Sequence, residues 1–136
     1  MTYGVAAALQ TAVYQHLKAD PALDALVSGA VFDAVPPGLV SGTYVSLGPE
    51  DVRDASDKTG HGALHEITVS VVTDAAGFST AKEVATAVSD ALVDTALMLT
   101  RGTLVYLTFH RARARRVQDA DMRRIDLKFR VRVQDD

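Results

Sequence analysis

Apolar residues recur along this chain with two different periods, and the periods divide it into elements. Val5, Leu9, Val13 and Leu17 repeat every four residues, with Ala12 and His16 beside them, which predicts an amphipathic helix over residues 4–19. Asp20-Pro21 resets the chain, since aspartate suits a helix cap and proline the first helical position. A short helix over 21–27 is therefore expected, stopped by Ser28-Gly29. Val31 to Val35 reads as a brief strand ended by Pro36-Pro37-Gly38, and Tyr44 to Leu47 as a second strand ended by Gly48-Pro49. Residues 50–62 hold almost nothing that can enter a core and are expected to form a long, flexible, functional loop.

The second half is more regular. Residues 63–74 predict a strand with Ile67, Val69 and Val71 on one face and Glu66, Thr68 and Ser70 on the other. A helix over 80–99 follows, capped by Ser79 or Thr80 with Glu83 completing a capping box. Its buried stripe is Val84, Val88, Ala91, Leu92, Thr95 and Leu99, and Gly102 ends it. Val105, Leu107 and Phe109 then begin a strand on one face, and Arg111, Arg113 and Arg115 continue in the same parity. A strand whose inward positions change from apolar to arginine must leave the core partway along. After a turn over 117–121, Ile125, Leu127, Phe129, Val131 and Val133 alternate with Asp126, Lys128, Arg130 and Arg132. The order α-α-β-β-β-α-β-β predicts an α+β fold. Its mainly antiparallel sheet has about five strands, with two main helices packed on one face.

A length of 136 residues suits a single domain, and 48% apolar with 23% charged residues is a globular composition. With no cysteine, disulfides, thiolate metal sites and cysteine nucleophiles are excluded. No apolar run approaches the ~18 to 20 residues that span a bilayer, and the N-terminus lacks a secretory signal pattern, so a protein made in the cytoplasm is expected. The net charge of −3 conceals an uneven distribution: residues 1–100 carry −8 and residues 101–136 carry +5. Such asymmetry concerns partners rather than fold.

Candidate chemistry is sparse. The chain has no Walker loop, no dinucleotide glycine pattern and no nucleophile elbow. His61 and His65 have helical zinc spacing, but Gly60 and Gly62 disfavour a helix, and four extended residues span ~13 Å, too far for one metal. Asp51, Asp54 and Asp57 lack the glycine and closing glutamate of a calcium loop, so a solvated acidic loop is the better reading. No cofactor and no metal is expected. The arginines of the last two strands are a sharper signal. They suit an interface with carboxylates from a neighbour better than a solvated face. Nucleic-acid binding is the weakest of the three readings, because Phe109 and Phe129 sit in the apolar parity and leave only Tyr106 for stacking.

The ordered set of segments resembles the tail-terminator, or tail-completion, proteins of long-tailed phages and of gene transfer agents. The resemblance runs from the opening helix through Tyr44-Val45-Ser46-Leu47-Gly48, the stretch Ser56-Asp57-Lys58-Thr59-Gly60 and the strand Glu66-Ile67-Thr68-Val69-Ser70-Val71. It continues through the helix opened by Ala81-Lys82-Glu83 and the final two strands. Many relatives carry tryptophan near the end of the third strand, where Val72 stands here. The resemblance implies a non-enzymatic virion protein, a ring of six copies on the tail tube. It would stop tube growth, meet a head-side connector, and let DNA pass through its opening without specific binding. It implies no membrane partner. Another head–tail joining protein, a stopper or adaptor, is the alternative. The expected interface residues are Arg111, Arg113, Arg115, Arg130 and Arg132, with Asp57, Lys58 and Thr59 of the polar stretch.

Overall fold

The computed structural model describes residues 3–35, 41–117 and 121–135. Helix α1 (Ala6–Ala19) buries Leu9, Val13 and Leu17, the four-residue repeat. In α2 (Pro21–Val27) the Leu23 N–H donates to the Asp20 carboxylate at 3.0 Å and proline occupies the first turn, so this boundary follows the expected cap chemistry. Ser28 closes α2 in the left-handed conformation, φ 52°. The third helix, α3 (Ser79–Leu92), differs from expectation at both ends. Its cap is Phe78, with no side-chain cap bond, and the chain leaves the helix at Val93 instead of continuing to 99. Asp94 takes φ 59°, and Leu97 enters the core in place of Thr95 and Leu99, which are half-buried. Gly102, also at positive φ, therefore precedes a strand and does not end a helix: a Cβ there would come within 2.6 Å of the Gln134 carbonyl.

Five strands form one sheet in the order β1-β2-β3-β5-β4. They are β1 (Val31–Phe32), β2 (Thr43–Asp54), β3 (His61–Thr73), β4 (Thr103–Val117) and β5 (Met122–Asp135). All neighbouring pairs are antiparallel except β1 with β2. The fold is thus α+β, with the helices over one face, and the core lies between them and Val69, Val71, Leu127, Phe129 and Val131. Strand β1 is only two residues long, shorter than the expected 31–35. Pro36-Pro37-Gly38 and residues 118–120 of the expected turn lie outside the described residues.

Residues 50–62 are mostly strand, not loop. Strand β2 continues past Gly48-Pro49 to Asp54, and β3 starts at His61, leaving residues 55–60 to join them. The Gly-Pro pair is absorbed by a register shift between Leu47 and Glu50. Proline is tolerated at such a bulge, above all where one side of the strand has no partner. Among the described residues β1 pairs only with Val45 and Ser46, so the outer half of β2 is an edge. The polar composition that suggested a loop belongs to an edge strand: β3 continues to pair with β5 on its other side, and Val52 alone of residues 50–54 packs against the core.

Candidate functional site: a cationic sheet face and an open edge strand

Strand β5 alternates without interruption. Ile125, Leu127, Phe129, Val131 and Val133 are buried against the helices, while Arg124, Asp126, Lys128, Arg130 and Arg132 point to the opposite face. Strand β4 does not alternate simply. Its pairing with β5 shifts between Leu104 and Tyr106 and again between Phe109 and Arg111, so Val105 and His110 are extra residues. A one-residue slip moves every later side chain to the other face. Arg111, Arg113 and Arg115 are therefore opposite Lys128, Asp126 and Arg124, whereas Ala112 and Ala114 are opposite Leu127 and Ile125. The arginines do not share the core parity of Leu107, as the unbroken sequence pattern suggested. They join Arg130 and Arg132 on one cationic face, away from the helices.

This face is built on small hydroxyl residues. Thr68 and Ser70 of the central strand β3 are buried beneath the longer side chains of β5. Lys128 Nζ donates to the Thr68 hydroxyl at 3.3 Å, and the Ser70 hydroxyl donates to Asp126 at 2.6 Å. Arg124 donates to Asp126 at 2.9 Å and to Ser70 at 3.1 Å. Burial opposes ionisation of Asp126, but the Ser70 hydroxyl and the Arg124 and Arg115 guanidinium groups outweigh it and hold the carboxyl below its usual range. Glu66 lies 3.7 Å from both Lys128 and His110. Three carboxylates, Asp51, Glu66 and Asp126, thus sit among a larger number of cations, and Arg111 and Arg113 have no ion-pair or side-chain hydrogen-bond partner among the described residues. A trough of about 690 Å³ lies between Arg111, Arg113, Arg115 and Lys128.

The expected loop residues lie elsewhere on the molecule. Asp57 Oδ1 accepts from the Thr59 N–H at 2.9 Å, the Gly60 N–H at 2.8 Å and the Thr59 hydroxyl at 3.1 Å, which fixes the hairpin tip. The Thr59 and Gly60 bonds hold the Asp57 carboxyl below its usual range. Asp57, Lys58 and Thr59 are all exposed. Arg132 crosses beside Gly62, where a Cβ would approach its guanidinium to 2.6 Å. The structure therefore brings Arg132 to the hairpin base and sets Arg111, Arg113 and Arg115 toward the far end of the sheet, beside β5 residues 124–128.

Two features escaped the sequence reading. Phe109 is 47% exposed, because no helix covers β4 at this point, although its ring meets Phe129 edge-on at 6.0 Å. Phe109, Ala112 and Ala114 line a groove of about 390 Å³ beside α3 that leaves the rim of Leu127 and Ile125 accessible. The only sequence signal for it is the pair of small residues between arginines. The second feature is His65, fully buried on the core side, whose Nδ1–H donates to Glu50 at 3.0 Å while its Nε2 has no partner among the described residues. His61 is exposed at the start of the same strand. Among the described residues no group of three His, Cys, Asp or Glu side chains could hold a metal ion, and no helix is long and apolar enough to cross a membrane. His16 donates from Nε2 to the Ala91 carbonyl at 2.8 Å and ties α1 to the end of α3.

A family model described as "Tail completion protein gp17" matches residues 11–134. A chain of a solved structure described as "Virion of native gene transfer agent (GTA) particle" is 68% identical to this one. That likeness covers 98% of this chain and 99% of that chain, with a TM-score of 0.92. No curated protein sequence matches.

Proposed function

The chain belongs to the tail completion protein gp17 family, and we propose that it acts as a tail terminator. It is a structural protein of the tail. In this reading, copies close a ring of six on the end of the tail tube, stop its growth and join the tail to the head-side connector. DNA passes through the opening without specific binding, and assembly takes place in the bacterial cytoplasm. The whole chain acts as one unit with no catalytic step.

The observation that carries this reading is the near full-length likeness to a chain of a gene transfer agent virion. The cationic sheet face supports it physically, because Arg111 and Arg113 have no partner among the described residues and suit carboxylates of a neighbour. Arg115, Arg130 and Arg132 extend the same face, and Asp57, Lys58 and Thr59 supply a second, separate contact at the hairpin tip. Electron microscopy of particles made without this protein tests the function. Overlong tails lacking heads are expected. Tails of normal length that merely fail to attach would overturn termination and favour a stopper or adaptor.

A further inference from the structure

We infer that the open edge of β4, residues 111–117, is one half of a head-to-tail contact between copies of this chain, and that its other half is the α2–β1 edge of the next copy. This rests on the ring reading and specifies which surfaces meet. The sheet order puts β1 and β4 at opposite edges. A heterologous contact joining opposite edges repeats from copy to copy and closes when the rotation allows.

Three observations single out these edges. First, β4 beyond its second bulge is a regular, exposed strand with no outer neighbour among the described residues, and bulges otherwise protect such edges. Second, this segment is two-sided. Ala112 and Ala114 leave the apolar groove uncovered toward α3, while Arg111, Arg113 and Arg115 line the cationic trough behind it. Third, the α2–β1 edge has the complementary character. It bears the carboxylates Asp24 and Asp33 and the exposed apolar side chains Leu26 and Val35, 43% and 42% accessible. The register also puts the two edges level across the sheet: Val31 and Phe32 align through Val45 and Ser46, Val71 and Ser70, and Ile125 and Asp126 with Ala114 and Arg113. Leu26 and Val35 of one copy fill the groove of the next on the helical side, and Asp24 and Asp33, the latter accepting from Gln10 at 2.6 Å, meet the guanidinium groups that reach round the edge strand from its far face.

Two one-sided variants test the contact. Arg111→Glu with Arg113→Glu disables only the basic edge, and Asp24→Lys with Asp33→Lys only the acidic one. All four residues are exposed, so both variants keep the fold, checked by circular dichroism. The neutral pairs Arg111→Ser with Arg113→Ser and Asp24→Asn with Asp33→Asn serve where the reversals do not fold. Sedimentation velocity is run at the concentration where wild type assembles, alone or on isolated tail tubes. Each variant alone is expected to lose assembly. An equimolar mixture of the two reversals is expected to recover assembly, because the native carboxylates meet the native arginines and the introduced glutamates meet the introduced lysines, whereas a mixture of the two neutral pairs is expected to stop at a dimer. Wild-type-like assembly by either reversed variant alone, or no association in the mixtures, would overturn the assigned edges and leave the ring standing. Wild type that remains monomeric alone and on tubes would overturn the ring and this contact together.

Discussion

Phe109 and Phe129 stand side by side on adjacent strands, yet their energetic roles differ. Phe129 is fully buried between sheet and helices, and its truncation to alanine is expected to cost ~3 to 5 kcal/mol of stability in urea unfolding. Phe109 is half exposed beside the groove, so Phe109→Ala is expected to cost well under half as much. Equal losses would mean that the groove is filled in the lone subunit. Asp126 gives a second residue-scale expectation. Its carboxyl pKa lies below the usual value despite partial burial, because Ser70 and Arg124 favour the charged form. A depressed folded-state pKa means that the stabilisation is present above the unfolded value, about 3.9, and is lost as pH falls through the folded value. Between about pH 5 and pH 2, wild type should therefore lose stability more steeply than Asp126→Asn. Parallel pH profiles in thermal melts would remove Asp126 from the acid response.

At the scale of elements, the informative object is the bulge at His110. Parity in β5 was readable directly, because its alternation runs unbroken from Ile125 to Val133. Parity in β4 was not, because an extra residue leaves the composition of a strand unchanged while turning all that follows. The same holds for β2, where Gly48-Pro49 reads as a terminator but is accommodated at an edge bulge. The end of α3 was hidden for another reason: Thr95 and Leu99 fit a helical stripe, while Asp94 turns the chain at positive φ, which periodicity does not register. Deletion of His110 should turn Arg111, Arg113 and Arg115 toward the helix side, where an unpaired charge costs several kcal/mol. The deletion variant is expected to misfold or to melt far lower, whereas His110→Ala keeps the residue count and should stay close to wild type. A deletion variant with wild-type melting temperature would show that β4 can slip its register freely.

For the whole molecule, the charge asymmetry read along the chain becomes an asymmetry between layers. The helical side carries Asp20, Asp24, Glu83, Asp90 and Asp94 against Lys18 and Lys82, and the open sheet face carries the arginines. Sequence alone separated the two signs but could not assign them to faces, since that depended on the β4 bulges. Exposed ion pairs contribute roughly 0 to 1 kcal/mol each, so single arginine replacements are expected to be silent in assembly. Reversal of two neighbours, Arg113→Glu with Arg115→Glu, should weaken co-sedimentation with tail tubes at low salt while leaving the melting temperature close to wild type. Full co-sedimentation at low salt would assign this face to solvent.

The strand order also dictates how the chain finds its structure. Hairpins β2–β3 and β4–β5 are each local in sequence, but the seam that unites them, β3 with β5, joins Ile67 to Phe129 across α3 and the whole of β4. Closing so distant a pair costs chain entropy before any contact repays it, so formation of this seam should limit the folding rate. Stopped-flow kinetics should then divide the sheet into two classes of position. Phe129→Ala, at the seam, should mainly slow folding, while a substitution such as Val31→Ala, on the last-added two-residue strand, should mainly speed unfolding.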